Sequence, residues 1–153
     1  MKKTTSSLQL NRTADYAIRA LIRLAQIPPG ERLMLPELAR ETGTPESFLS
    51  KILQKLCRAG LASSSRGSSG GFQILPKGRN ATIASVVAAV EGPIRLNACL
   101  VDEAPCHRKD ACPASPVWAS AQLALLKVLD AQTIAQLAAP VAALRPVRTG
   151  RDS

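Results

Sequence analysis

Two short helix patterns joined by a glycine-bearing turn constrain the fold of this chain most strongly. The first covers residues 36–41 and the second residues 46–59, with Gly43 and Thr44 turning the chain between them. Thr44 is predicted to cap the second helix, with Pro45 at its first position. One face of the second pattern is polar and basic, and the other is apolar, consisting of Phe48, Leu49, Ile52, Leu53 and Leu56. This arrangement predicts a helix-turn-helix.

A short β-hairpin pattern follows the second helix. Residues 61–65 and 71–75 read as strands, and the stretch between them is too rich in Gly and Ser to bury a core. A flexible linker is the alternative, but the strand-like flanks and the short length favour a hairpin with Arg66 at its tip. We therefore predict a mainly α-helical fold with a small β-hairpin wing, that is, a winged helix-turn-helix domain.

Apolar residues at helical spacing also mark the segments before and after this unit. Helices are predicted over residues 13–27, 83–92 (capped by Thr82), 115–131 and 133–139. The apolar stripe of the 115–131 helix would be left in water beside a compact winged domain, so we expect this long helix to pair with a second copy. The stripe consists of Val117, Trp118, Ala121, Leu125, Val128 and Leu129.

The net charge of +9 is unevenly distributed along the chain. Residues 1–80 carry 13 Lys and Arg against 5 Asp and Glu, whereas residues 81–153 carry 7 against 6. A basic solvated surface would account for the total but not for the asymmetry. A basic first half followed by a nearly neutral second half is typical of a nucleic-acid-binding module joined to a second functional region.

Several other classes of protein are disfavoured by the composition. No apolar run approaches the ~20 residues of a membrane span, and residues 1–11 lack the apolar segment of a signal peptide. We therefore expect a cytoplasmic protein with no membrane partner, in which thiols stay reduced. The one histidine, His107, adjoins Cys106, and adjacent residues cannot easily serve as nucleophile and base, so an enzyme is not expected.

Three of the four cysteines lie in one polar loop. Cys99, Cys106 and Cys112 follow a C-x6-C-x5-C spacing among Pro, Asp and small residues. Thiolates so close in sequence can converge on one soft metal centre, and three are one short of a closed tetrahedral site. An iron–sulfur cluster with a non-cysteine fourth ligand, a zinc site completed from elsewhere, and thiol or disulfide switching all remain open. Cys57, in the apolar half of its helix, is interpreted as a buried small hydrophobe.

Five segments of the chain together match a known pattern. They are TADYAIRALIRLA, LARETGTPESFLSKILQKLCRAGL, the wing SSRGSSGGFQI, IASVVAAVEGPIRL and the three-cysteine loop. Jointly they resemble the IscR/NsrR-type winged-helix transcription regulators of bacteria, many of which sense through an iron–sulfur cluster. The resemblance extends over residues 10–137. It implies a homodimer that binds an operator in double-stranded DNA and holds a cluster, [4Fe–4S] in preference to [2Fe–2S], on Cys99, Cys106 and Cys112.

Within that family the chain is most similar to the nitric-oxide-sensing NsrR branch. The run from Cys106 to Cys112 resembles the middle and last cysteines of that branch with their intervening residues. The branch that senses cluster assembly has a histidine three residues after its last cysteine, where this chain has Ser115. The gap between Cys99 and Cys106 departs from the family pattern, because it is longer than expected.

The resemblance also implies a fourth cluster ligand. Asp15, in the first predicted helix, stands where the NsrR branch places a carboxylate that completes the coordination from the opposite subunit. A hard oxygen binds a cluster iron more labilely than a thiolate, which leaves a site for nitric oxide or oxygen to attack. An ordinary ion pair with Arg19, one turn further along, is the alternative for this side chain.

For DNA, the resemblance implies that residues at the start of the second helix of the helix-turn-helix meet base edges in the major groove. The candidates are Thr44, Glu46, Ser47, Lys51 and Lys55, of which the two lysines can equally contact phosphates. Arg66 on the wing would enter a minor groove. A solvated helix face is the alternative interpretation for each of these polar residues.

Together these inferences predict a transcriptional repressor. Residues 1–10 and 141–153 are expected to be disordered, 11–92 to form the DNA-binding domain, 93–112 the cluster-binding loop, and 113–140 the dimerisation helix with a short C-terminal helix. An intact cluster is expected to order the loop and to set both domains for two half-sites, and its loss to nitric oxide or an oxidant to release the DNA. A regulator of the same fold with zinc or no metal, sensing by cysteine oxidation, is the alternative.

Overall fold

The part of the molecule described by the structure, residues 11–100 and 109–140 of a computed structural model, is mainly helical with one small hairpin, which confirms the predicted fold class. Its elements are α1 (Arg12–Gln26), α2 (Leu35–Thr42), α3 (Glu46–Arg58), β1 (Ala62–Ser65), β2 (Gly71–Ile74), α4 (Pro76–Arg79), α5 (Ile83–Glu91), α6 (Ser115–Leu129) and α7 (Ile134–Leu137). Two 3-10 turns, Ala98–Leu100 and Lys109–Ala111, lie on either side of residues 101–108. The expected disordered ends, Cys106 and His107 lie outside the described residues.

The core lies where α1 packs against α2, α3, α5 and α7. Each helix repeats apolar residues three and four apart, so their side chains fall on one face and are removed from water together. The largest fully buried side chains are Leu21, Leu24, Leu38, Leu49, Leu53, Leu56, Ile134, Val86 and Val87. α7 therefore belongs to the same core as α1, although the chain reaches it only after α6.

The helix ends are fixed by short polar side chains. Asn11 accepts a hydrogen bond from the N–H of Thr13 at the start of α1, at 2.7 Å. Thr82, as predicted, caps α5 in a reciprocal capping box with Ser85. Thr133 forms the same kind of box with Gln136 at the start of α7. These caps explain why two short helices begin at defined residues.

The wing is an antiparallel pair extended by a third short segment. β1 and β2 pair from Ala62 opposite Ile74 to Ser65 opposite Gly71. Leu33 then bridges Phe72 through two backbone hydrogen bonds of 2.8 and 3.0 Å. A Cβ on residue 71 would stand 2.6 Å from the carbonyl oxygen of Leu33, so only glycine allows this approach.

α6 leaves the core and returns to it. Asp130 at its C-terminus accepts a hydrogen bond from the hydroxyl of Thr82, and the N–H of Ile134 donates to the carbonyl of Ala81 at 2.8 Å. Its own apolar side chains stay largely in solvent in a single protomer, led by Val117, Trp118, Leu123 and Val128. The helix therefore projects an apolar surface while its C-terminal end and α7 remain attached to the domain.

Candidate nucleic-acid interface and cysteine loop

The turn between α2 and α3 is fixed by hydrogen bonds on its inner side. Gly43 adopts a left-handed backbone with φ of 64°, and the N–H of Thr44 donates to the carbonyl of Ala39 at 2.9 Å. The hydroxyls of Thr42 and Thr44 lie 3.1 Å apart, and both residues are buried. The predicted cap is wrong in its register, since Pro45 occupies the N-cap of α3 and Thr44 faces inward.

The exposed face of α3 carries the polar residues expected of a recognition helix. Glu46, Ser47 and Lys51 are exposed at its N-terminal half, while Leu49 and Ile52 point into the core. The prediction for Phe48 is wrong, because this side chain is 57% exposed rather than part of the apolar face. The exposed side chains that could approach a base edge are therefore polar or charged, apart from the aromatic ring of Phe48.

Lys55 lies on the same helix but is engaged elsewhere. Its Nζ donates to the carbonyl oxygen of Val90 at 2.7 Å. Val90 is in the last turn of α5, where carbonyl groups lack partners within the helix and an ammonium is favoured by the helix dipole. Lys55 thus joins the recognition helix to the end of α5, directly before the cysteine loop.

A groove between α3 and the wing contains residues that the sequence reading did not select. Ser50, Gln54 and Arg58 recur at intervals of four on α3, and they line this groove together with Phe72 of β2. Arg66 lies at the tip of the wing, directly after β1, and is exposed. The regular spacing of these polar residues, three and four apart from Ser47 onward, places them along one side of α3 and could have identified this second polar row.

The thiol of Cys57 is half-buried in the floor of the same groove. Burial raises its pKa, and a hydrogen bond with Ser64 opposes that shift only in part. The thiol therefore stays protonated near neutral pH, and a protonated thiol is a poor nucleophile. The prediction of a buried small hydrophobe is therefore wrong in part, because Cys57 is only half-buried and lines this groove.

The described part of the cysteine loop contains two thiols, one in the turn before residues 101–108 and one shortly before α6. Cys99 is buried within the 3-10 turn Ala98–Leu100, and Cys112 is half-buried just before α6. The carbonyl of Cys112 accepts a hydrogen bond from the N–H of Ser115 at 3.1 Å. Within residues 11–100 and 109–140, no three Cys, His, Asp or Glu side chains come together as a metal site would require.

Asp15 pairs with Arg19 in the manner of the alternative interpretation. The two carboxylate oxygens accept from Nε and Nη2 of Arg19 at 3.2 and 2.8 Å, and both side chains are about half exposed. Beside it, Glu91 accepts a hydrogen bond from the N–H of Ala14 at 2.9 Å, which ties the end of α5 to the first turn of α1. The cysteine loop therefore starts next to the turn that carries Asp15.

The helix-turn-helix, the wing and the basic first half together define a winged-helix DNA-binding protein. The chain belongs to the Rrf2 family of transcriptional regulators, whose profile, described as an iron-dependent transcriptional regulator, matches residues 10–140. A Rhodobacter capsulatus protein named as an rrf2-like HTH-type transcriptional regulator is 34% identical over 132 residues, covering 81% of this chain and 88% of its own.

Solved structures share this fold. CymR of B. subtilis, called the global cysteine regulator, superposes with a TM-score of 0.69 at 27% identity and covers 86% of this chain and 97% of its own. T. potens IscR superposes with a TM-score of 0.67 at 23% identity, over 86% of each chain. The family match over residues 10–140 confirms a winged-helix transcription regulator of the Rrf2 family, and the solved structures confirm the winged fold, while the NsrR branch stays a prediction. Among the described residues, no helix has both the length and the apolar character needed to cross a bilayer.

Proposed function

We propose that the protein is a homodimeric transcriptional repressor that responds to nitric oxide, or to redox or iron status, through an iron–sulfur cluster. The observation that carries this proposal is the position of Cys99 and Cys112, which lie at the two ends of the stretch containing Cys106. This stretch directly precedes α6. The description of the family as iron-dependent supports it. The loop thus joins the DNA-binding domain to the helix proposed to mediate dimerisation.

The donor set of the loop fits an iron–sulfur cluster in its chemistry. Cys99 and Cys112 are both free thiols, and soft thiolates are the usual ligands of such clusters. Cys99 is shielded from solvent, which protects a bound cluster from adventitious loss. When bound, the cluster supplies an iron centre that reacts with nitric oxide or oxygen.

Asp15 is the proposed fourth ligand, contributed by the partner subunit. Its carboxylate is exposed, and it lies in the first turn of α1, beside the start of the cysteine loop. Arg19 holds both of its oxygens in a single protomer, so coordination requires Asp15 to give up at least one of these two hydrogen bonds. The Arg19 pair orients the carboxylate until then.

Dimerisation is proposed to occur through α6. Val117 is 66% exposed and Val128 is 42% exposed, and together with Trp118 they form an apolar surface that a single protomer leaves in water. Burying such a surface against a second copy is favourable by roughly 25 cal/mol per Å². Val128→Asp is expected to convert the dimer to a monomer in analytical ultracentrifugation, whereas Lys127→Asp, an exposed change on another face of the same helix, is the matched control.

The DNA-binding surface is proposed to combine the start of α3 with the wing. Ser47, Lys51 and Glu46 would face base edges or phosphates of the major groove, and Arg66 a minor groove. Gln54 lies in line with Ser47 and can act as both donor and acceptor to adenine. Thr44 and Lys55 are left out of this surface, since the first is buried and the second is bound to Val90.

The end of α5 offers a physical route from the loop to the DNA. Lys55 connects Val90 to the recognition helix, and Glu91 connects the same helix end to α1. Both contacts involve the last residues of α5, directly before Gly92 and the loop of residues 93–112. A change in the order of that loop is therefore proposed to act on α3 through the hydrogen bond of Lys55 and on α1 through that of Glu91.

Anaerobic purification followed by an operator titration tests the proposal. A visible absorption near roughly 400 nm with iron and sulfide is expected for the wild type, as cluster chemistry predicts, and nitric oxide is expected to weaken operator binding. Replacement of Cys99, Cys106 and Cys112 by serine should remove the colour and the response, whereas Cys57→Ser, the matched control, should retain both. Unchanged operator affinity with nitric oxide and a colourless wild type would overturn it.

A metal-free or zinc-bound regulator that senses by cysteine oxidation is the second candidate. The likeness to CymR, a regulator named for cysteine, favours it. The raised pKa of Cys57 makes that thiol a poor sensor, so oxidation would have to act on the cysteine loop. A colourless protein whose operator affinity falls on treatment with peroxide, and recovers with a thiol reductant, would favour this candidate over the cluster.

A further inference from the structure

The one buried side chain of α6 in a protomer is polar. Gln122 is 7% exposed, whereas every other residue of this helix is at least partly open to solvent. A buried amide is unfavourable unless its donor and acceptor are both satisfied. Its burial therefore indicates a specific contact rather than general packing.

That contact is with the backbone that leads into the cysteine loop. Oε1 of Gln122 accepts from the N–H of Leu96 at 2.9 Å, and Nε2 donates to the carbonyl of Ile94 at 3.0 Å. The side-chain amide pairs with an N–H and a carbonyl two residues apart, as the backbone of a neighbouring β-strand would. We name these two hydrogen bonds the Gln122 clasp.

The clasp lies between the domain and the first thiol of the loop. Leu96 precedes Cys99 by three residues, so the thiol-bearing residue stays within roughly 10 Å of the clasp along the chain. At the other end, Cys112 leads directly into α6, and Ser115 lies about 10 Å below Gln122 along the helix axis. Both ends of the three-cysteine segment are thus held on the same helix.

We propose that Gln122 is the positioning residue of the sensor loop: it fixes Cys99 relative to Cys112 and joins the loop to α6. One part of this inference rests on the proposed function: that the clasp helps to retain the cluster and couples the conformation of the loop to α6. Its structural content, that the clasp keeps Cys99 shielded, is independent of any metal.

Thiol alkylation of the reduced, metal-free protein tests that content. Each cysteine is followed with iodoacetamide by peptide mass spectrometry, with Cys57 as a reference thiol within the same molecule. Gln122→Met removes both hydrogen bonds at similar side-chain length, and Gln122→Glu keeps only the acceptor. Lys127→Met, an exposed change on the same helix, is the matched control.

The alkylation rate of Cys99 is expected to rise about tenfold in Gln122→Met, as the loss of two neutral hydrogen bonds predicts. It should rise at least as much in Gln122→Glu, because a buried carboxylate would set an oxygen against the carbonyl of Ile94. Cys57 and the Lys127→Met variant should keep wild-type rates. Hydrogen exchange at the Leu96 amide should accelerate in both Gln122 variants while amides of α1 keep their wild-type rates, which distinguishes loss of the clasp from a general loss of stability.

Two results would overturn the inference: an unchanged rate at Cys99 in both Gln122 variants, or a parallel rise at Cys57. If Gln122→Met does not fold, the Leu96 exchange rate in Gln122→Glu decides the matter alone. The proposed function is judged separately by the iron and sulfide content of the wild-type protein. In iron-loaded protein, Gln122→Met is expected to lose its colour several-fold faster under oxygen than Lys127→Met.

Discussion

The Nζ of Lys55 lies 2.7 Å from the carbonyl oxygen of Val90, and this hydrogen bond joins the recognition helix to the end of α5. A lysine on the exposed side of a DNA-reading helix would ordinarily be assigned to phosphate. Here it instead satisfies a terminal carbonyl two residues before Gly92, the C-cap of α5, after which the loop of residues 93–112 begins. The same contact therefore contributes to stability and to the coupling between loop and helix.

Replacing Lys55 is expected to separate these roles from DNA binding. Lys55→Met should lower the free energy of unfolding by about 1 kcal/mol, because it leaves the carbonyl of Val90 without its charged donor. Lys51→Met should instead weaken operator binding and reduce the slope of log affinity against log salt concentration by about one. Urea unfolding and DNA titrations at several salt concentrations measure both. An equal reduction of the slope by Lys55→Met would contradict the assignment.

Arg66 is expected to act on DNA affinity without acting on the fold. Its side chain is exposed at the tip of the wing, so Arg66→Ala should change the free energy of unfolding by less than about 0.5 kcal/mol. Loss of a groove contact should weaken operator binding by about 1–3 kcal/mol. Lys127→Ala removes the same charge from α6 and should leave affinity nearly unchanged. Fluorescence anisotropy with labelled operator gives the comparison.

The ion pair between Arg23 of α1 and Glu41 of α2 is expected to make stability depend on pH. The hydrogen bond from Arg23 lowers the pKa of Glu41 below its ordinary value of 4.5. The contribution is therefore fully present above pH 4.5 and is lost as the pH falls through the lowered pKa. Glu41→Gln should destabilise the protein at pH 7 and have little effect below the lowered pKa. Glu37→Gln, exposed on the same helix, should show no such convergence in urea unfolding.

Ile134 is expected to be among the costliest positions to truncate, although it lies beyond α6. It is fully buried against the helices of the DNA-binding domain, so Ile134→Ala should lower the free energy of unfolding by about 2–5 kcal/mol. Ala135→Ser, exposed on the same helix, should have little effect. Urea unfolding at one protein concentration provides the measurement. A loss below about 1 kcal/mol would mean that α7 is not part of the core.

The helices and the hairpin were predictable because they depend on local patterns. Apolar residues at intervals of three and four, together with the cap at Thr82, indicate where α5 begins. The helix predicted over residues 133–139 is shorter in the structure, because Thr133 is the N-cap of α7 and the helix ends at Leu137. The four-residue α4 was not anticipated, since Gly78 in its centre is a poor helix former. The start of α3 was misplaced by one residue because Thr44 prefers the hydroxyl of Thr42 to the backbone of the helix.

The site was less predictable because its contacts join distant parts of the chain. A helical projection identifies Lys55 as polar and exposed, but it cannot reveal that Val90 lies within reach. Gln122 escaped notice for a related reason: its partners are backbone atoms of residues 94 and 96, which carry no signature in the sequence. Asp15 was placed correctly beside Arg19 because an interval of four residues is a local rule. Its proposed role as a ligand depends on a second subunit and stays a prediction.

The attachment of α6 at its far end has a mechanical consequence. Asp130 and Ile134 bind it back to Thr82 and Ala81, while the clasp holds its middle against the segment that enters the loop. Because α6 is attached at two points along its length, it cannot rotate independently of the DNA-binding domain. We therefore expect any rotation of one α6 against the α6 of the partner subunit to rotate the whole DNA-binding domain by the same angle. A small shift at the dimer interface then becomes a large change in the spacing of the two recognition helices along the DNA.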